Sequence, residues 1–279
     1  NRERPSQSYN SNSRLKKIHK ILMLPSELVK YKEKSQKIIA LTAWDSISGS
    51  IAEYSGADLV LVGDSLAMVC LGYKSTLPIT LENMVYHTNA VSRGFSKTME
   101  EQPLIVCDMP FLTYQCGEDR AVEYAGKIIQ NTYAKGVKIE GAEPEIKKVI
   151  SRIIRMGIPV MGHLGLTPQS YLNLGYKKQG KNFESQEKIK KDANALEDLG
   201  CFAIVLEHVP DLLAKEIQDN LTIPTIGIGA GEFCDGQVRV TADLLGLSDE
   251  QPPFCQPIVQ GKELFKNKLK QWVASERLN

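Results

Sequence analysis

The sequence has no apolar run near the roughly 20 residues that a membrane-spanning helix needs, and nothing at its start resembles the apolar core of a secretory signal. Those absences point to a soluble, cytoplasmic protein. Its six cysteines, Cys70, Cys107, Cys116, Cys201, Cys234 and Cys255, include no CxxC pair. Zinc sites and disulfide frames need regular spacings, whereas scattered cysteines in apolar runs fit reduced, partly buried thiols. An excess of charge is also missing. With 34 Lys and Arg against 33 Asp and Glu, the formal net charge is +1, which gives no global attraction to nucleic acid or to an anionic membrane surface.

What is present is ordinary globular material: 279 residues, 42% hydrophobic and 24% charged, enough for a sizeable core. The opening stretch "NRERPSQSYNSNSRLKKIHK" is different, being polar, basic and rich in Ser and Asn. It cannot bury enough apolar surface to offset its ordering entropy. Residues 1–23 therefore read as a disordered tail, with an organellar transit segment as the alternative, and residues 24–279 as a single domain.

A short helical stretch, "SELVKYKEK", is followed by eight apolar runs rich in Val and Ile and bounded by Gly or Pro: "KIIALTAWD", "ADLVLVGDS", "PLIVCDMPF", "GVKIEG", "IPVMGHLG", "FAIVLEHVP", "TIPTIGIGAG" and, less clearly, "VRVTADLLG". Between them lie segments of helical period. In "EDRAVEYAGKIIQNTYAKG" the residues Val122, Ala125, Ile129 and Tyr133 share a face, with Gly136 as the stop. "EPEIKKVISRIIRMG" offers Pro144 for a first turn, Ile146, Ile150 and Ile153 or Ile154 for a buried face, and Gly157 as the stop. "IKKDANALEDLG" ends likewise at Gly200.

Strand and helix thus alternate, which implies right-handed βαβ units and a parallel sheet. Eight units over about 250 residues predict an α/β fold of the (β/α)8 TIM-barrel type. A doubly wound open sheet would carry its glycine fingerprint at the first turn, whereas here the glycine-rich turn follows the seventh strand.

The residues that end the apolar runs are Asp45, Asp64 with Ser65, Asp108, Lys138 with Glu140, His163, and Glu207 with His208. In a barrel these side chains gather at one rim, where barrel enzymes keep their chemistry. Asp45, ahead of "SISGSIAEYSG", reads as a helix cap and is left out of the site. His163 reads equally as a structural or a catalytic histidine. Lys138, flanked by Val137 and Ile139, is badly placed for a merely solvated lysine. Glu207 ends a strand expected to be buried on both sides, where desolvation raises a carboxyl pKa. Two Asp and a Glu are hard oxygen donors with no thiolate among them, which suits Mg2+ rather than zinc. A 2-oxo acid can chelate such an ion and be polarised toward enolisation.

The motifs "LVGDSL", "STLPIT", "CDMPF", "VKIEG", "GHLGLTPQS", "VLEHVP" and "IGIGAG", in this order, resemble those of the ketopantoate hydroxymethyltransferases, from about residue 24 to Leu247. That resemblance implies a barrel of the phosphoenolpyruvate/pyruvate type, a homodecamer, and Mg2+ at one ion per subunit. It implies that 3-methyl-2-oxobutanoate takes a one-carbon unit from 5,10-methylenetetrahydrofolate to give 2-dehydropantoate, in pantothenate biosynthesis. Position by position, it makes Asp64, Asp108 and Glu140 metal ligands and puts Asp64, Ser65, Asp108 and Lys138 on the oxo acid. Glu207 becomes the proton acceptor, and His163 a secondary member. The chain departs from the family pattern at Tyr73, Leu174, Lys178 and Lys181, and in the stretch after Leu247. The alternative is another Mg2+-dependent carbon–carbon lyase or mutase acting on an oxo acid on the same barrel.

Overall fold

Side-chain alternation along the strands sorts the apolar residues of this chain into two cores. The computed structural model describes residues 23–278. Its strands are β1 (Ile38–Thr42), β2 (Leu59–Val62), β3 (Leu104–Asp108), β4 (Gly136–Glu140), β5 (Val160–Gly165), β6 (Ala203–Glu207), β7 (Thr225–Ile228) and β8 (Gly236–Arg239). Each pairs in parallel with its neighbour in sequence, and β8 closes on β1. Leu59 and Leu61 of β2 join Ile38, Leu104, Val106, Met161, Val205 and Val238 in the barrel interior. Val60 and Val62 of the same strand join Ile105, Cys107, Val137 and Ile139 in the layer beneath the helices. A strand covered on both faces must be apolar at every position, which is why these segments read as continuous runs.

The helices are α1 (Glu27–Glu33), α2 (Ser46–Tyr54), α3 (Leu66–Val69), α4 (Leu81–Arg93), α5 (Glu118–Asn131), α6 (Pro144–Arg155), α7 (Tyr171–Leu174), α8 (Phe183–Asp198), α9 (Asp211–Asn220), α10 (Thr241–Leu244) and α11 (Gly261–Glu276). Helix α1 seals the N-terminal end of the barrel with Leu28 and Tyr31, and its Lys32 pairs with Asp235 at 3.0 Å. Asp45 caps α2, accepting from Ser48 N at 2.7 Å. Pro144 opens α6, and Gly157 and Gly200 take φ of +89° and +95° where their helices stop. All six cysteines are free, and no described helix is long and apolar enough to cross a membrane.

Several expectations are corrected. Residues 1–22 of the expected tail lie outside the described residues, but Met23 is buried with the barrel floor. Helix α5 ends at Asn131, so Gly136 opens β4 instead of stopping a helix; a Cβ there would press on the Pro159 carbonyl oxygen and the Phe202 ring. The fully buried residues of α5 are Ala121, Ala125 and Ile128, with Val122 and Ile129 of the expected face partly buried against the same core, whereas Tyr133 lies beyond the helix and is exposed. The eighth strand starts two residues earlier than the apolar run and stops at Arg239, because Thr241 turns the chain into α10 with its hydroxyl on the Thr42 carbonyl at 2.6 Å.

Candidate active site

Parallel pairing fixes which strand ends face one another. Asp108 of β3 stands opposite Lys138 of β4, Glu140 of β4 opposite His163 of β5, and Gly165 of β5 opposite Glu207 of β6. Lys138 and Glu140 are two residues apart and therefore point to the same side, into the barrel mouth. Asp64 follows β2 after Gly63, where the chain turns so that Asp64 N donates to Asp108 Oδ2 at 3.0 Å. A Cβ at Gly63 would sit 3.2 Å from Ser65 Oγ, tighter than an ordinary contact, and 3.5 Å from Asp108 Oδ2, so a side chain at the end of the β2 run would press on the Ser65 hydroxyl.

The expected site residues meet at the rim, whereas His208, also expected there, does not line the cavity. Asp64, Ser65, Asp108, Lys138, Glu140, His163 and Glu207 line one cavity of about 90 Å3, floored by Leu61, Val205, Ile228 and Val238. The Lys138 ammonium is 3.1 Å from Asp108 Oδ1 and 3.3 Å from His163 Nδ1. On its two sides His163 has Glu140 Oε1 at 3.5 Å and Glu207 Oε2 at 3.2 Å. Asp64, Asp108, Lys138, Glu140 and His163 are buried. Glu207 is not: its side chain remains 17% exposed at the open mouth, which corrects the expectation of a fully buried acid.

The charges respond to this crowding. Burial and the neighbouring carboxylates of Asp108 and Glu140 hold the Asp64 carboxyl well above the usual carboxylate range, against the pull of Lys138 and Gln169. Glu140 also loses solvation, yet His163, Lys138 and the Gln169 N–H outweigh that and keep it below its ordinary value. Burial and the Lys138 ammonium press His163 down, but bonds to Glu140 and Glu207 raise it to about 9. Lys138 is raised as well, because Asp108, Glu140 and Asp64 overcome its own burial. Lys138, His163 and Glu140 thus hold one another in their charged forms, while Asp64 is pushed toward its neutral form.

Sequence reasoning missed two buried members. Gln169, in the 3-10 turn Pro168–Ser170 after β5, contacts both Asp64 and Glu140, and Tyr114 donates to Gln169 at 2.8 Å. Neither ends a strand, so the pattern that marked the acids passes over them; only the quoted motif "GHLGLTPQS" drew attention to the first.

Among the described residues no group of three or more His, Cys, Asp or Glu side chains is arranged to hold a metal ion. Asp64 and Glu140 engage Gln169, and Asp108 engages Lys138. The donor chemistry nonetheless fits a hard divalent cation, since three carboxylates share one buried mouth and Asp108 Oδ1 has no aligned hydrogen bond. Mg2+ commonly takes one or two carboxylates and completes its shell with water and substrate oxygens.

The closed parallel eight-stranded barrel is a fold shared with enzymes of known structure. A phosphoenolpyruvate phosphomutase from Streptomyces platensis subsp. rosaceus superposes with a TM-score of 0.59 at 12% identity, over 79% of this chain and 82% of that one. A phosphonopyruvate hydrolase in complex with oxalate and Mg2+ superposes with a TM-score of 0.58 at 10% identity, over 92% and 100% of the two chains. At such identities the likeness is one of fold. The family is set by sequence: the model of the ketopantoate hydroxymethyltransferases matches residues 23–277, and the chain belongs to that family. A relative named 3-methyl-2-oxobutanoate hydroxymethyltransferase, from Prochlorococcus marinus (strain MIT 9312), is 84% identical over 257 residues, which are 92% of this chain and all of that protein.

Proposed function

We propose that the protein transfers a hydroxymethyl group from 5,10-methylenetetrahydrofolate to 3-methyl-2-oxobutanoate, giving 2-dehydropantoate and tetrahydrofolate. The observation that carries this reading is the family match over nearly the whole described chain, with the matched acids and lysine meeting in one small polar mouth. Asp64, Asp108 and Glu140 would hold a divalent cation, Mg2+ on the chemistry of the donors. Bound there, that ion supplies positive charge to the keto and carboxylate oxygens of the oxo acid.

The remaining work falls to side chains. Glu207 stands at the open edge of the cavity and takes the proton from C3 of the oxo acid. His163, 3.2 Å away, orients that carboxylate and supports its charge. Lys138 brings a fixed ammonium to the negative charge that develops on the substrate oxygens, in a site already closed to water on its barrel side. Ser65, at the start of α3, orients the substrate. C3 of the resulting enolate forms the new bond to the methylene carbon of the donor, both C–N bonds of that carbon break, water supplies the hydroxyl oxygen, and the proton taken from C3 and one from water end on the folate nitrogens.

The exposed apolar residues Phe265, Leu269 and Trp272 of α11, with the family resemblance, favour a homo-oligomer, a homodecamer by that resemblance; light scattering on the purified protein measures it. The reaction is tested by following deuterium loss from C3 of 3-methyl-2-oxobutanoate and formation of 2-dehydropantoate, with Mg2+ present or chelated and with or without the folate. Metal-dependent exchange and folate-dependent product are expected. Exchange without any product in the presence of the folate would favour a lyase or mutase instead.

A further inference from the structure

We propose that Gln169 is a positioning residue that clamps two of the acids at once, and that Tyr114 sets the direction of the clamp. The inference rests on the proposed metal-dependent reading of the site, and concerns what fixes the acids before any ion arrives.

Gln169 Nε2 donates to Asp64 Oδ2 at 2.9 Å and to the Met109 carbonyl at 2.9 Å. Its backbone N–H donates to Glu140 Oε2 at 2.9 Å. One residue of the β5 loop therefore ties down one oxygen of a carboxylate from the β2 end and one oxygen of a carboxylate from the β4 end. Two carboxylates that would repel one another are held by N–H donors of one residue, with Asp64 Oδ1 outside the clamp and Glu140 Oε1 facing His163 Nδ1 at 3.5 Å.

A primary amide can present either end, so something must choose. Gln169 Oε1 accepts from the Tyr114 hydroxyl at 2.8 Å and from Gln115 Nε2 at 3.2 Å. The reversed amide would set its oxygen against two acceptors, Asp64 Oδ2 and the Met109 carbonyl, and its N–H groups against the Gln115 Nε2 donor, while the Tyr114 hydroxyl would have to give up its donation and accept instead. With Tyr114 and Gln169 both buried, water is not there to soften that mismatch. The phenol thus acts on Asp64 at one remove, through the amide. Polar partners that orient metal-binding carboxylates commonly contribute about 10- to 100-fold in metal affinity.

The test is a double-mutant cycle on the full chain with Mn2+ as the probe, titrated by calorimetry and by the loss of its free-ion paramagnetic resonance signal, with melting temperature recorded alongside. Gln169→Ala is expected to weaken Mn2+ binding about 10-fold or more. Tyr114→Phe keeps the ring and the packing, and is expected to weaken it several-fold. The double variant should match Gln169→Ala, because a phenol that acts only through the amide has nothing left to orient. An Mn2+ affinity within twofold of the parent in Gln169→Ala, tighter binding in that variant, or additive losses in the double variant would each overturn the clamp. If Gln169→Ala fails to fold, Tyr114→Phe decides alone, and unchanged affinity there overturns it. These readouts do not depend on turnover: a wild-type protein that binds Mn2+ but makes no product refutes the proposed function and leaves the clamp to be judged on its own variants.

Discussion

Lys138 and Asp108 occupy facing register positions on β4 and β3, and the ammonium of the first lies 3.1 Å from Oδ1 of the second with both side chains about 95% buried. This pair sits at the electrical centre of the mouth, since Asp108, Glu140 and Asp64 all act on the Lys138 ammonium. Removing one partner of a buried pair leaves an uncompensated charge, which costs about 3–5 kcal/mol. Lys138→Met should therefore lower unfolding stability by about that amount at neutral pH in urea titrations. It should also abolish exchange at C3. A stability within about 1 kcal/mol of the parent would show that the pair is solvated and not the charge centre inferred here.

Glu207 offers the opposite case, an acid at the edge whose loss should hurt chemistry and not folding. Glu207→Gln preserves shape and removes the base. Deuterium loss from C3 should fall by at least about 100-fold, while calorimetry finds oxo-acid and Mg2+ binding close to the parent's. Undiminished exchange in that variant removes Glu207 from the role of proton acceptor.

Gly165 ends the strand that carries His163 and faces Glu207 across the β5–β6 pairing. Its φ of +95° is a left-handed conformation that favours glycine, and a Cβ there would overlap the Glu207 carbonyl oxygen and touch Val209. Gly165→Ala is expected to push β6 away from β5 at the rim. The outcome to look for is a loss of about 1–3 kcal/mol in stability together with a fall in kcat larger than the change in KM for the oxo acid. Parental kcat in a folded Gly165→Ala protein would show that the spacing of these strand ends is not what aligns Glu207.

At the far end of the barrel, the Tyr31 hydroxyl donates to Asp58 Oδ1 at 3.0 Å. Burial, then the charge and hydrogen bond of Asp58, push the Tyr31 phenol up to about 12. The folded state therefore holds this proton more tightly than the unfolded chain, whose tyrosines titrate near pH 10. The stabilisation is complete below about pH 10 and is lost as pH rises toward 12. Tyr31→Phe should cost about 1 kcal/mol at pH 8, and the gap between variant and parent should close over that alkaline window. A gap that stays constant from pH 8 to 12 would contradict the assignment.

Much of this was legible in one dimension. Each of the eight strands lies within or beside an apolar run that could be read off directly, because a strand covered on both faces leaves no position for a polar residue until it reaches the rim. The same rule made Asp64, Asp108, Lys138 and Glu207 conspicuous: they are where the rule breaks. It failed at β8, where the apolar run extends beyond the strand into α10, and at Gly136, where a glycine chosen for close packing looked like a helix stop. Glu207 was expected at the rim with its strand's burial around it and keeps 17% of its side chain exposed, since a strand's last residue is covered only as far as the loops above it reach.

By itself the sequence determined the alternation of strands and helices, the order of the acids and the lysine along the chain, and the capping role of Asp45, all of which depend on neighbours within a few residues. Only the tertiary structure decided which strand ends face each other, that His163 lies between Glu140 and Glu207, and that Gln169 and Tyr114, 55 positions apart, share one hydrogen bond beneath the site. The reason is physical: local propensity and periodicity act over one turn or one pleat, whereas the partners of a buried charge are set by closure of the barrel, which brings together residues that no local pattern connects.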